Sequence, residues 1–375
     1  MRSGSAVKRV AAINAPSLRG SCVNKSIART CISLLLFCHV FSAAPVSAQA
    51  PRAGLVAELA ALDGESRRQR LIDGAAKEGE LTFYHVTTPP SILPIIDAFS
   101  KKYGIKVKTW RSSTENVLRR VVNEARAGRS EVDIVENNAP EMEAMQREKL
   151  LQPVTSPHHR DLMLQAFPAH RGWVGNNIDV FVQSYNTQKI KKEDLPKSYQ
   201  ELLDPKWRGM LGIESEDHHW FATLAQELGQ ENTTKLFKEI VAKNGISVRK
   251  GHTLLAQLVG SGEVPLALTV YNNMPLILQK KGAPVDWFII PPAIAALRGI
   301  GMLSSSSHPH AALLFYDFML TEGQRILAAQ DYVVTGNKHD AAFKKVPLKF
   351  IDPALTLDMQ QKWTRDYEDV LRIKQ

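Results

Sequence analysis

The chain has 375 residues, too many for one small hydrophobic core, so two domains or lobes are expected. Its formal charge of +9 suggests a nucleic-acid or membrane-surface partner until the charges are located. Arg2, Lys8, Arg9, Arg19, Lys25 and Arg29 all precede residue 49, where no acid stands; without these six the charge falls to +3, no long basic run remains, and nucleic acid is set aside.

The same segment holds all three cysteines, Cys22, Cys31 and Cys38. A basic stretch ends at Arg29, the apolar stretch CISLLLFCHVFSAA follows, and Val46 and Ala48 in PVSAQ are the small residues before a cut. This is the pattern of a secretory signal peptide over 1–48, with cleavage expected after Ala48. An anchor helix is the alternative, but the apolar run is short for a bilayer. Phe37 is too bulky to precede a lipid-attachment cysteine, and no twin-Arg pair closely precedes the apolar run, so export by the general route is expected. The mature chain would carry no cysteine, which excludes a disulfide, a thiolate metal site and a cysteine nucleophile. No Met lies between Met1 and Met142, and VNKSIART resembles a normal start; translation from Val23 through a non-ATG codon is expected.

Residues 49–78 form a helical lead-in: a loose start at Pro51 and Gly54, then apolar stripes at Leu55, Leu59 and Leu62 and at Leu71, Ile72, Ala75 and Ala76, divided by Gly64 and stopped by Gly79. Strands and helices then alternate. LTFYHV (81–86) is a strand, and TTPPS leads into the helix ILPIIDAFSKKYG with Ser91 as its cap. IKVKTW (105–110) is a strand; STENVLRRVVNEARAG is a helix capped by Ser113 or Thr114 and stopped by Gly128. VDIVE (132–136) is a strand and APEMEAMQREKL a helix. IDVFVQSYN (178–186) is a strand, SYQELLDPKWRG a short helix closed by Asp204-Pro205, MLGIESE a strand and WFATLAQELG a helix. The stretch from Ser247 to Asn273 reads as helix, turn and strand, and an apolar helix follows to Lys280-Lys281-Gly282. GIGML and AALLFYDFML end the α/β pattern, and TLDMQQKWTRDYEDVLRIK is a helical tail. Such alternation predicts a parallel sheet with right-handed crossovers.

Enzyme signatures are missing: the chain has no G-x-S-x-G, H-E-x-x-H, P-loop or G-x-G-x-x-G, and Gly299 with Gly301 makes only a bare G-x-G. Glu216–Trp220 (EDHHW) has metal-donor chemistry, but His218 and His219, being adjacent, point different ways. No catalytic residue, metal or cofactor is expected. A positional pattern is more informative. Thr87-Thr88, Ser112-Ser113, Asn137-Asn138, the loop Asp217–Trp220 and Tyr271-Asn272-Asn273 each follow a predicted strand. In an open parallel sheet these ends converge on one crevice, where free helix N–H groups favour an anion. Taken singly, each reads more readily as a cap or turn former; the repeated pattern is what points to a ligand.

The stretches GELTFYHVTTPPSILPIIDAFSKKYGIKV, NEARAGRSEVDIVENN, LPKSYQELLDPKWRGMLGI, GEVPLALTVYNN and HPHAALLFYDFMLTEGQRIL, in this order, resemble the periplasmic solute-binding proteins of bacterial ABC importers, in the family 1 group that includes ferric-ion-binding proteins. The resemblance covers nearly all of 66–335. It implies an α/β two-lobe fold, each lobe a mostly parallel sheet flanked by helices, with a ligand cleft between the lobes. It places lobe 1 at 79–178 plus about 298–345 and lobe 2 at about 179–297 plus 346–375, with hinges near Ile178–Val182 and Ala296–Gly301. It also implies a periplasmic monomer that binds a small-molecule solute and delivers it, without turnover, to an ABC permease. The family's iron ligands fall on Thr88, Asn138, Asn272 and Asn273, with Tyr271 displaced by one; none of the four is a good ferric ligand. Amides and hydroxyls instead suit a small polar or anionic organic solute. Arg298 would add a positive charge, and Trp220 and Tyr271 an aromatic wall. The ligand-binding set is therefore Thr87, Thr88, Ser113, Asn137, Asn138, Asp217, His218, Trp220, Tyr271, Asn272, Asn273 and Arg298. The alternatives are a protein that binds iron(III) or an iron chelate, and a secreted metal-dependent hydrolase using Asp217 and His218.

Overall fold

The computed structural model describes residues 53–373 except 61, 63, 338–342, 344 and 345; the expected signal peptide and the start at Val23 lie outside the described residues. Helices α1 (Ala53–Ala60) and α2 (Gly64–Glu78) lead into β1 (Glu80–His85), α3 (Pro89–Tyr103), β2 (Lys106–Arg111), α4 (Thr114–Arg126), β3 (Ile134–Asn138), α5 (Ala139–Arg147) and β4 (Leu151–Gln152). Next come the long β5 (Val174–Asn186), β6 (Leu211–Glu214), α6 (His218–Leu228), α7 (Gln230–Asn244), β7 (Ser247–Arg249), α8 (His252–Ser261), β8 (Leu266–Tyr271), α9 (Asn273–Lys280) and β9 (Val285–Phe288). The chain closes with β10 (Ala293–Leu303), α10 (Pro309–Phe318), α11 (Gln324–Ala328), β11 (Val333–Val334), β12 (Leu348–Phe350) and α12 (Pro353–Leu371).

The strand order is β2-β1-β3-β10-β5-β8-β6-β7. The strands linked by helices pair in parallel, β2 and β3 with β1, and β7 and β8 with β6. The antiparallel ladders come from β5 and β10, which join the two halves. β5 changes partner at one point: Val180 faces Ala295 of β10, and Phe181 faces Tyr271 of β8. That point falls within Ile178–Val182. β10 shifts register between Arg298 and Gly299, at the residue opposite Asn138 of β3.

Local chemistry explains the elements. α3 starts at Pro89, with Thr88 rather than Ser91 as N-cap, because proline's fixed φ and missing N–H suit a first helical turn. Gly104, at φ 73°, supplies the left-handed stop. Its Ile92, Ile95, Ile96 and Phe99 are buried at helical spacing, and Phe99 meets Phe315 and Phe318 edge to face. The expected short helix at 199–207 is instead two 3₁₀ turns, since Pro205 cannot continue the first and Asp204 caps the second by accepting from the Lys206 N–H at 2.9 Å. α10 is buried along its length, and the buried carboxylate of Asp317 on it pairs with Arg67 of α2 and accepts from the Ser156 hydroxyl at 2.7 Å. Gly299 and Gly301 let α5 approach β10: a Cβ at 299 would stand 2.6 Å from the Trp173 ring, and one at 301 would stand 2.9 Å from Met142. The G-x-G is a packing device. No helix among the described residues is long and apolar enough to cross a membrane.

Candidate functional site

The two halves of the sheet face each other across a cleft of about 930 Å³. Six helices begin on it. α3, α4 and α5 open from Thr88, Ser113 and Asn138 on the first wall; α6 and α8 open from Asp217 and Gly251 on the second, and α9 presents its first residue, Asn273, there. Each start leaves backbone N–H groups unsatisfied by its own helix and carries the positive end of the helix dipole. They meet because each helix follows a strand whose C-terminal end points to the cleft. Ser113 caps α4 with its own side chain, accepting from the Asn116 N–H at 3.4 Å. Thr88 and Asn138 make no side-chain cap bond; the Thr88 hydroxyl donates to Ser91 Oγ at 3.4 Å. The buried Oδ1 atoms of Asn138 and Asn273 find no hydrogen-bond partner among the described residues.

The walls differ in charge. The first carries Arg111, Arg119 and Arg126 along α4 and its approach, with Glu115 and Glu141 among them. Burial pushes Glu141 up to about 7, reinforced by the charge of Glu115. The second wall carries Glu214, Glu216 and Asp217 with His218, His219 and His252. Burial, reinforced by Glu214, holds the Asp217 carboxyl well above the usual range. Burial likewise lowers His219 and His252, each to about 3, so both imidazoles are neutral near pH 7. Tyr271 stands beside His252, ring centroids 4.0 Å apart, and burial with nearby carboxylates keeps its phenol protonated.

Arg298 lies between the walls, but its charge is already engaged. Its Nη2 donates to Asp179 Oδ2 at 2.7 Å, its Nη1 donates to Thr87 Oγ1 at 3.1 Å, and its Nε is 3.7 Å from Glu136 Oε1. Thr87 in turn donates to Glu136 at 2.7 Å. The guanidinium is therefore the centre of a buried knot and not a free cation awaiting an anion, as its place in the sequence suggests.

Of the twelve expected residues, Thr88, Ser113, Asn138, Asp217, His218, Tyr271, Asn273 and Arg298 border the cleft. Four stand behind its surface. Thr87 is 3% exposed and spent on the Arg298 knot. Asn137 is fully buried and donates to the Thr114 carbonyl at 3.0 Å. Asn272 accepts from the Val180 N–H at 3.3 Å and donates to the Asp331 carbonyl, tying β8 to β5. Trp220 corrects the expectation of an aromatic wall: it is 1% exposed, in edge contact with Tyr199 and Phe237 in the core beneath α6. One helical turn past the cap loop, it points inward. His218 does not pair with Asp217; Asp217 Oδ1 faces His252 Nε2 at 3.3 Å instead. Sequence reasoning missed Glu136, Asp179, Glu214 and His252. The three acids sit in buried strands, and His252 is 35 positions from Asp217, so spacing gives no sign of them.

Comparison with known proteins places this geometry. The chain is 26% identical over 292 residues to the "Fe(3+)-binding periplasmic protein" of Serratia marcescens, across 74% of this chain and 85% of that protein. Iron-bound HitA from Pseudomonas aeruginosa shares the fold with a TM-score of 0.68 at 24% identity, over 78% of this chain and 99% of that one. AfuA from Actinobacillus pleuropneumoniae, with exogenous fructose-6-phosphate bound, shares it with a TM-score of 0.68 at 19% identity, over 79% and 100%. These neighbours are two-lobe periplasmic binding proteins. The family profile described as "Bacterial extracellular solute-binding protein" matches residues 132–354, a span that runs from β3 through both crossover strands to the start of α12. With two half-sheets joined by β5 and β10 around a cleft of helix N-termini, the chain belongs to the bacterial extracellular solute-binding proteins.

Proposed function

We propose that this protein is the receptor of an ABC importer and captures a small polar organic solute bearing an anionic group. The observation that carries the reading is the convergence of helix N-termini on one cleft, with Arg111, Arg119 and Arg126 on the first wall. Backbone N–H groups and arginine forks suit a phosphate or carboxylate. The AfuA structure holds a sugar phosphate in the same fold, which supports an organic anion. The unpartnered amide oxygens of Asn138 and Asn273 add acceptors for solute hydroxyls. The residues at the positions the resemblance gives to iron ligands, Thr88, Asn138, Asn272 and Asn273, offer no anionic oxygen, which weighs against bare ferric ion. A second reading, an iron chelate, draws on the iron named for the relatives and on Tyr271 beside Asp217 and His252.

In this reading lobe 1 is 79–178 plus about 298–345 and lobe 2 about 179–297 plus 346–375. The lobes close on the solute by motion at Ile178–Val182 and Ala296–Gly301, because only the closed form lets it touch both walls. The protein acts as a monomer in the periplasm after cleavage behind Ala48, hands its solute to a membrane permease, and neither turns it over nor binds nucleic acid. The test is mass spectrometry of small molecules released by denaturing protein purified from its native periplasm. A stoichiometric organic anion supports the reading; iron alone in stoichiometric amount overturns it.

A further inference from the structure

The second wall poses a problem for an anionic solute: it turns Glu214, Glu216 and Asp217 into the same cleft. We infer that Glu214, Asp217 and His252 hold a divalent transition-metal ion, zinc(II) or manganese(II), whose open coordination positions face the solute.

The three side chains come from separate elements, the end of β6, the cap of α6 and the first residue of α8, and one donor atom of each lies within 4.8 Å of the others. Tetrahedral bonds of about 2.0–2.2 Å would put such donors roughly 3.3–3.6 Å apart, so donors as far as 4.8 Å from one another need to close by at most about 1.5 Å. Two carboxylate oxygens and an imidazole nitrogen form a donor set for zinc or manganese, and the mature chain brings no thiolate to compete. The donors are also held in place by the fold. Glu214 Oε1 accepts from the Gly251 N–H at 2.9 Å and from the Ser215 hydroxyl at 3.3 Å, and its Oε2 accepts from the Glu216 N–H at 2.5 Å, which fixes β6 against the start of α8 and leaves each oxygen a lone pair for an ion. The His252 ring is wedged against Tyr271, and the Tyr367 hydroxyl donates to the Glu214 carbonyl at 2.6 Å. Yet Asp217 Oδ2 makes no hydrogen bond among the described residues, and His252 Nε2 stands 3.3 Å from Asp217 Oδ1 without the geometry of one, although the two side chains are only 2% and 9% exposed. Buried polar atoms aimed at a shared point and left unpaired are costly unless something occupies that point. The metal question raised by EDHHW thus moves from His218 and His219 to a histidine that the fold brings in from another helix.

Three protein donors leave positions for water or solute. An ion there would offset the acids of the second wall while the first wall's helix ends hold the rest of the anion. This bridging role rests on the proposed function; the metal site does not.

The test uses the purified full chain stripped with a chelator. Calorimetry with zinc(II), then manganese(II), should show one ion per chain, with affinity falling about 100-fold or more in His252→Ala and in Asp217→Asn but not in His218→Ala. X-ray absorption on the zinc-loaded wild type should show one imidazole and otherwise oxygen donors, a readout that needs no variant to fold. No bound ion, binding unmoved in both ligand variants, or loss confined to His218→Ala would overturn the site. Titrating an anionic solute with and without the ion separates the two ideas. A tenfold or greater gain with the ion supports the bridge. Metal binding with no gain removes the bridge and keeps the site. Solute binding in a protein that takes up no metal removes this inference and keeps the proposed function.

Discussion

Arg298 and Asp179 join neighbouring crossover strands through a 2.7 Å bond between Nη2 and Oδ2, with Asp179 buried on β5 and Arg298 on β10 at its register shift. Burial pushes Asp179 up, and the guanidinium pulls it back. Through Thr87 and Glu136 the same arginine reaches the ends of β1 and β3, so one side chain ties the first wall of the cleft to both connecting strands. Arg298→Met should cost roughly 3–5 kcal/mol in urea unfolding, because it leaves Asp179 and Glu136 buried without their cation. A loss below about 1 kcal/mol would mean the arginine is free to serve the solute.

Trp220 and Asn138 should separate stability from binding. Trp220→Ala empties a core position and should cost about 3–5 kcal/mol in denaturant melts. Asn138→Ala should leave the melt within about 1 kcal/mol of wild type while weakening solute binding by roughly 5- to 100-fold in calorimetry, since it removes an unspent acceptor at the cleft. The opposite assignment, affinity lost in the first and stability in the second, would return Trp220 to the site.

Glu141 gives a pH signature. In the unfolded chain it ionises near its ordinary value of 4.5; in the folded protein burial holds the proton until about 7. The folded state binds the extra proton between these values, so this group's contribution to stability is full below about 4.5 and falls as pH rises to 7. Glu141→Gln should therefore raise stability at pH 8 by roughly 1–3 kcal/mol and leave it nearly unchanged at pH 4. Melts at the two pH values check it; an equal effect at both would assign the change to packing.

The lead-in helix is tied to the core by Arg67 and Asp317, both buried. Asp317→Ala should cost about 3–5 kcal/mol by stranding the arginine and the Ser156 hydroxyl. Chemical denaturation of this variant measures the cost. Arg68→Ala nearby, whose partner Glu65 is exposed, should leave stability close to that of the wild type in the same assay, because solvent screens the pair.

Much of the fold was legible because burial writes a period into the chain. The stripe Ile92, Ile95, Ile96, Phe99 announces α3, and Gly104 ends it. β5 was legible only from Ile178 onward: all 13 of its residues are buried, but Gly175, Asn176 and Asn177 near its start have poor strand propensity. α7 escaped notice because Gly229 interrupts two helices whose exposed faces are polar. The site divided along the same line. Strand ends that precede helix caps, such as Thr88 and Asn138, follow from topology. Residues placed by tertiary pairing, such as His252 opposite Asp217, carry no local mark, and a tryptophan near a polar loop reads alike whether it faces core or ligand.

The central claim is that the cleft takes an organic anion. The most direct measurement is a thermal-shift screen of purified, ligand-stripped protein against organic phosphates, aliphatic and aromatic carboxylates, and ferric ion with and without citrate. A ligand at 100 times its dissociation constant stabilises by about 2.7 kcal/mol, a visible shift of the melt. The account predicts a shift with at least one organic anion and none with ferric ion alone. A shift with ferric ion alone, and with no organic anion, would contradict it.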